Sequence, residues 1–119
     1  MTFKEIVDIL EAEIVLDSDD SDTEIQSVCS TDLMSDLLHF SSMPRSLLIT
    51  GLANTQAVRT AEIADIKAIV FVLDKKPDKE TVEMARQKDI AFIVTRLSRF
   101  TACGRLYAAG LRSCTGENR

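Results

Sequence analysis

The chain has 119 residues, 45% of them hydrophobic, which is enough for one buried core and excludes a second domain of ordinary size. Its longest strongly apolar run covers residues 68–73, far fewer than the roughly 20 residues that a membrane-spanning helix needs. The first eleven residues carry acids where a signal peptide requires an uninterrupted apolar run. We therefore expect an unprocessed, soluble, cytoplasmic protein.

The net charge of -5 is distributed unevenly along the chain. Residues 1–42 contain eleven acids and only Lys4 as a base, whereas residues 43–119 contain thirteen Lys and Arg against eight acids. An acidic chain of this kind argues against nucleic acid as a partner, and the basic C-terminal part favours a small anion.

In chain order, the first half predicts helix, strand, strand and helix. Apolar residues at helical spacing begin the chain, a charged, turn-rich run separates the two strands, and Ser30 or Thr31 is expected to cap the second helix. The bounds are 2–11 for the first helix, 13–16 and 24–30 for the strands, 17–24 for the acidic run, and 33–40 for the second helix.

The second half alternates apolar runs with amphipathic segments. Runs that are apolar at every position are typical of strands buried on both faces, and the helices between them supply the crossovers that parallel pairing requires. The pattern predicts a three-layer α/β/α fold with a mainly parallel central sheet, in one domain over residues 1–112 with a flexible tail at 113–119. The strands are expected at 46–50, 68–73 and 91–95, and the helices at 54–65, 77–88 and 98–111.

The three cysteines are Cys29, Cys103 and Cys114. Their number is odd, they lie far apart, and no two form the C-x-x-C pair of a metal or redox site. We expect reduced thiols, as in most cytosolic proteins, and no metal centre or cofactor.

The candidate binding site is the edge of the sheet where three strands end and three helices begin. Helix N-termini there present unpaired N–H groups, Gly51 permits an unusual backbone angle, and several cations, Arg99 among them, favour a phosphate-bearing ligand. A solvated rim that binds no ligand is the alternative. The predicted ligand-binding residues are Thr50, Gly51, Asn54, Thr55, Lys75, Lys76, Thr95, Arg96 and Ser98.

No catalytic arrangement is recognisable. Neither a P-loop nor a dinucleotide fingerprint follows any predicted strand. His39, the one histidine, is interpreted as a residue at the end of a helix, and Cys103 as a small buried thiol on the apolar face of the last helix. Asp17 begins a run with EF-hand-like spacing, but the glycine and glutamate that a calcium loop needs at positions 6 and 12 are missing.

The order of elements resembles the DRTGG domain, a small α/β module found beside catalytic domains and between CBS domains. The most similar stretches are ITGLANTQAVRTAEIADIKAIVFVLDKKP and FTACGRLYAAGL. The name-giving residues are largely absent: Gly51-Leu52-Ala53 stands for Gly-Asp-Arg and Val72-Leu73-Asp74 for Thr-Gly-Gly. Those polar residues either bind a ligand in other members, in which case that ligand is lost or exchanged here, or shape turns.

The resemblance implies a regulatory, non-enzymatic homodimer. Our first hypothesis is a module that senses a small anionic ligand, with an adenine nucleotide as the candidate, and signals to a partner protein. The alternative is a homodimeric docking protein for an electron-transfer, hydrogenase-type or metabolic enzyme complex, with no small-molecule ligand.

Overall fold

The computed structural model describes residues 1–18 and 24–117. The central part of the acidic run, residues 19–23, lies outside them, and so does the end of the tail. No helix in the described ranges is long and apolar enough to cross a membrane. The elements are α1 (Phe3–Ile9), β1 (Glu13–Leu16), β2 (Ser27–Ser30), α2 (Met34–Phe40), β3 (Ser46–Thr50), α3 (Thr55–Ile63), β4 (Ile66–Phe71), α4 (Lys79–Gln87), β5 (Ala91–Val94), α5 (Arg99–Ala108) and β6 (Arg112–Ser113).

The described residues form a sheet of six strands in the order β1-β5-β4-β3-β2-β6. All neighbouring pairs are parallel except β1 with β5. Every residue of β3 and β5 is buried, as expected for strands covered on both faces. The predicted three-layer α/β/α class with a mainly parallel sheet is confirmed.

The two faces of the sheet carry separate hydrophobic clusters. One contains side chains of α2, α3 and α4, and the other contains side chains of α1 and α5. The helices that follow β3 and β4 therefore pack on one face, whereas the helix that follows β5 packs on the opposite face. This reversal places the topological switch point of the sheet between the carboxyl ends of β4 and β5.

Side-chain caps define where most of the helices begin. Asn54, Asp78 and Ser98 accept hydrogen bonds from the backbone N–H groups of α3, α4 and α5, and Thr2 forms a capping box with Glu5. The cap predicted for α2 is wrong. Its N-cap position is occupied by Leu33, whose side chain makes no cap, while the Thr31 hydroxyl accepts from the Leu33 N–H.

The fourth strand ends earlier than its apolar run predicts. It stops at Phe71 because Leu73 and Asp74 have φ angles of 56° and 57°, in the left-handed region that a strand does not allow. The apolar run of the sequence is longer than the strand because Val72, in the turn, is still buried.

The C-terminal segment is tied to the sheet. The two-residue strand β6 pairs with β2, and Cys114 forms a disulfide with Cys29, the Cα atoms being 5.2 Å apart. Our expectation of reduced thiols is therefore wrong for these two residues, and Cys103 alone is free. A sequence separation of 85 residues concealed the pairing, and the segment expected to be a flexible tail begins with Ser113 and Cys114, which are held against β2.

Candidate functional site

A carboxylate occupies the end of β3. Asp32 Oδ1 accepts hydrogen bonds from the Thr50 hydroxyl at 2.8 Å and from the Gly51 backbone N–H at 2.7 Å, and it forms an ion pair with the Arg99 guanidinium. Asp32 comes from the turn between β2 and α2, and Arg99 is the first residue of α5. We call Asp32, Thr50, Gly51, Lys75 and Arg99 the β3 junction.

Lys75 completes the β3 junction from the turn after β4. A Cβ atom placed on Gly51 would lie 3.1 Å from Lys75 Nζ and 3.5 Å from Asp32 Oδ2, so both charged groups approach this glycine closely. The Lys75 ammonium makes no ion pair or hydrogen bond within the described part of the chain. The absence of a side chain at Gly51 permits this close approach. The unusual backbone angle expected of Gly51 is wrong, because among the four glycines only Gly110 and Gly116 have positive φ angles.

These donors set the ionisation of the carboxyl. Partial burial favours the neutral form of Asp32, but the Gly51 N–H, the Thr50 hydroxyl and the Arg99 guanidinium together lower its pKa below the ordinary value. Asp32 is thus held as a carboxylate at neutral pH. Half of its side chain remains exposed to solvent, and 41% of the Arg99 side chain is exposed.

The Arg99 guanidinium is only partly satisfied by Asp32. Its Nη2 contacts the carboxylate, whereas its Nε is buried and has no hydrogen-bond partner among the described residues. A guanidinium presents five donors in a fixed fork that matches an oxyanion through two parallel bonds. The β3 junction therefore has an ammonium and a buried guanidinium nitrogen that have no acceptor among the described residues.

The crevice at the topological switch point is bridged by backbone hydrogen bonds. Leu73 N–H donates to the Leu97 carbonyl at 3.0 Å, and Asp74 N–H donates to the Thr95 carbonyl at 2.9 Å. These bonds join the turn after β4 directly to the turn after β5. The N–H groups that an open crevice would offer to a ligand are therefore already used.

Three predicted site residues line a separate cavity of about 480 Å³ on the other side of this bridge. Lys76, Thr95 and Arg96 share it with Glu11, Glu13 and Asp74. Acidic side chains there outnumber basic ones, which disfavours an anion. The sequence predicted one rim with four cations. The structure places Lys76 and Arg96 in this cavity and the other two, Lys75 and Arg99, at the β3 junction.

The remaining predicted residues lie at helix starts. Asn54 Oδ1 accepts from the Ala57 N–H at 3.2 Å, and Ser98 Oγ accepts from the Thr101 N–H at 3.2 Å, while Thr55 is the first residue of α3. The caps thus have structural partners. Ligand binding by any of the predicted residues stays a prediction.

Sequence analysis missed Asp32. It lies in the acidic half of the chain and follows a short strand with no glycine-rich turn to mark it. Asp32 reaches Gly51 because β2 and β3 are parallel neighbours, with Ser30 opposite Ile49. The signal that could have found it is the rule that carboxyl ends of neighbouring parallel strands meet at one edge.

A second concave region lies at the free edge of β2. This edge groove has a volume of about 630 Å³ and is lined by α2, α5, β2, the segment after β6 and the disulfide. Phe40 and Tyr107, with exposed fractions of 54% and 67%, are its aromatic residues. Cys103 also lines the groove and is half-buried, where the sequence predicted a buried thiol.

The edge groove includes unpaired strand backbone. Thr31 N–H donates to the Ile49 carbonyl at 3.2 Å, so the peptide groups of the preceding residue, Ser30, point away from β3. On that side β6 pairs with β2 only at Ser27 and Val28. In the described part of the chain, Ser30 thus presents its N–H and C=O at a free strand edge.

The other candidates considered from the sequence were His39 and a possible metal site. His39 lies in the last turn of α2, as predicted. Within residues 1–18 and 24–117, no group of three or more His, Cys, Asp or Glu side chains is arranged to hold a metal ion.

A solved structure with the same α/β fold is the regulatory region of Clostridium perfringens pyrophosphatase, which contains CBS and DRTGG domains and is complexed with its activator, diadenosine tetraphosphate. The TM-score is 0.71 at 19% identity, over 88% of this chain and 45% of that one, so this chain spans less than half of the regulatory region. No curated protein matches the sequence.

The DRTGG domain family matches residues 5–109. This chain belongs to the DRTGG domain family, as its resemblance predicted.

The backbone at Leu73 and Asp74 bears on why the family's Thr-Gly-Gly residues can be absent here. By the resemblance described above, Leu73 and Asp74 stand where other members have the two glycines of Thr-Gly-Gly, and the φ angles of both residues are positive. Glycine adopts such angles at no steric cost, whereas other L-residues do so with strain. Of the two readings left open by the sequence, the turn-shaping one is favoured for these positions, because the backbone keeps a glycine-type turn without the glycines.

Proposed function

We propose that this chain is a non-catalytic regulatory module that binds a small anionic ligand at the β3 junction. The observation that carries the proposal lies at the carboxyl ends of parallel strands, where Lys75 approaches Gly51 and Arg99 pairs with Asp32, the acceptor of the Gly51 N–H. Two cations and a backbone donor, against one carboxylate, form a cluster with excess positive charge. Charge-assisted bonds from such donors suit phosphoryl oxygens.

An adenine nucleotide is the candidate ligand. The related pyrophosphatase regulatory region binds an adenine-containing activator whose linker is a chain of phosphates. The acidic cavity that contains Lys76 and Arg96 is disfavoured as the phosphate site. Signalling to a partner protein, and the cytoplasmic location predicted from the sequence, belong to this proposal.

The test compares two adjacent lysines. ATP and inorganic phosphate are titrated while thermal unfolding is monitored, because a ligand at 100 times its Kd adds about 2.7 kcal/mol to the free energy of unfolding. Lys75→Ala is expected to weaken binding about tenfold, and Lys76→Ala to leave it unchanged. A larger loss from Lys76→Ala would place the ligand in the acidic cavity. Equal losses, or no binding by the unmodified chain, would contradict the proposal.

The edge groove favours a second candidate function, docking of a second copy of the chain. The Ser30 peptide offers a strand edge, and Phe40 and Tyr107 supply exposed aromatic surface on either side of it. A homodimer that then docks an electron-transfer or metabolic enzyme complex is the function that this surface would serve. Light scattering at high micromolar concentration should give twice the monomer mass of 13.2 kDa for the unmodified chain and the monomer mass for Tyr107→Ser.

A further inference from the structure

The donors of the β3 junction are already occupied by a group of the protein itself. Asp32 Oδ1 accepts hydrogen bonds from the Gly51 N–H and the Thr50 hydroxyl and, at the same time, pairs with the Arg99 guanidinium. A phosphoryl oxygen would use the same N–H and the same guanidinium. A backbone N–H has one hydrogen to donate, so the carboxylate and a ligand oxygen exclude each other at Gly51.

From these contacts we propose that Asp32 is an internal anion that occupies the ligand site and leaves it when a phosphate-bearing ligand binds. This inference rests on the proposed function, because it concerns how that same site is regulated. The carboxylate stands in for a phosphoryl oxygen while the site is empty, and it sets the affinity by competing for the donors.

The surroundings of Asp32 favour release over permanent closure. Its side chain is half exposed, so the displaced carboxylate is solvated by water without burial. It lies in the short turn between the last residue of β2 and the first residue of α2, where Leu33 provides no side-chain cap. The unpartnered Nε of Arg99 shows that the closed arrangement leaves a donor unused.

A phosphate dianion can make more contacts at the β3 junction than a single carboxylate oxygen can. It has enough acceptor atoms to contact the Gly51 N–H, the Arg99 guanidinium and the Lys75 ammonium, which has no partner among the described residues. A ligand shifts a two-state site only by its differential affinity for the two states. Lys75, which Asp32 does not engage as an ion pair, provides that difference.

The experiment measures the Kd of inorganic phosphate by calorimetry at constant ionic strength. Asp32→Ala removes the competitor, and Asp36→Ala, in the first turn of α2, removes the same charge outside the β3 junction. We expect the affinity of Asp32→Ala to exceed that of the unmodified chain by about tenfold or more, and that of Asp36→Ala to lie within about twofold, since exposed charges act weakly at a distance. Asp32→Asn, which keeps the shape and loses the charge, is the second variant if Asp32→Ala does not fold.

The outcomes separate this inference from the proposed function. If the unmodified chain binds phosphate and the Asp32 variants bind no more tightly than Asp36→Ala, the inference fails and the anion site stands. Weaker binding by the Asp32 variants overturns it in favour of Asp32 as a ligand-binding group. Binding by the Asp32 variants alone supports the inference and contradicts anion sensing by the unmodified chain, and no binding by any variant overturns both.

Discussion

The ends of β3 and β5 share one local motif and use it differently. A Thr-x-Leu sequence begins at the last residue of β3, Thr50, and at the residue after β5, Thr95. In each, the buried threonine hydroxyl accepts the N–H of the leucine two residues on, at 3.1 Å for Thr50 and 3.2 Å for Thr95. The Thr50 hydroxyl then donates to the Asp32 carboxylate, whereas the Thr95 hydroxyl donates to the Leu10 backbone carbonyl at 2.8 Å.

The bonds at the end of β5 stabilise the fold, whereas those at the end of β3 belong to the candidate binding site. At the end of β5 the partners are backbone groups, which are neutral and fixed, and two further backbone bonds tie this turn to the turn after β4. At the end of β3 the partner is a half-exposed, charged side chain that can leave. The same local sequence therefore closes one junction and leaves the other exchangeable, according to which element lies next to it.

The largest expected effect is the removal of the two threonine hydroxyls. Thr95→Val leaves the buried Leu10 carbonyl and the part-buried Leu97 N–H without their partner, and we expect a loss of about 1–3 kcal/mol in the free energy of unfolding. Thr50→Val should cost about 1 kcal/mol or less, because Asp32 keeps two other donors and contact with water. Urea unfolding of both variants measures the difference, and equal losses would mean that the two junctions are alike.

The next prediction concerns the turn after β4, which backbone hydrogen bonds join to the turn after β5. Leu73 is 56% exposed and has a φ angle of 56°, so Leu73→Gly removes strain with little loss of burial. We expect the free energy of unfolding to rise by up to about 1 kcal/mol. The same change at exposed Leu38, inside α2, should lower it by about 1 kcal/mol. Destabilisation by both changes would show that the Leu73 side chain stabilises the turn.

A smaller effect is expected from the pH dependence of Asp32. Its pKa in the folded chain lies below the value of about 3.9 in the unfolded chain, so its contribution is complete above that value and is lost as the pH falls through the folded pKa. Asp32→Asn should therefore be less stable than the unmodified chain at pH 7, by about 1 kcal/mol at most because the carboxyl is half exposed. Urea unfolding at pH 7 and near pH 3 should show the difference shrinking with acid, and a constant difference would contradict the account.

Much of the fold follows from the sequence because its signals are local. The runs at 46–50 and 91–95 are apolar at each central position, and Asn54 and Ser98 mark helix starts by their own hydrogen bonds. The early end of β4 was not predictable in this way, because the turn at Leu73 contains no glycine to reveal its positive φ angle.

The candidate site could be predicted only in part. Gly51 and Lys75 follow strands that apolar runs reveal, so the sequence locates them at the right edge. Asp32 and the Cys29–Cys114 disulfide depend on the lateral order of strands, with β2 beside β3 and β6 beside β2. Lateral order arises from pairing between distant segments, which no local pattern in a single sequence specifies.

The most direct test of the central claim observes the Gly51 N–H itself. The chain has four glycines, so selective ¹⁵N-glycine labelling gives four backbone amide signals, with Gly104, Gly110 and Gly116 as internal controls. On titration with ATP or inorganic phosphate, the account predicts a large shift of the Gly51 signal as its acceptor changes from Asp32 to a phosphoryl oxygen, while the other three stay nearly still. Binding detected by calorimetry with an unmoved Gly51 signal would contradict it.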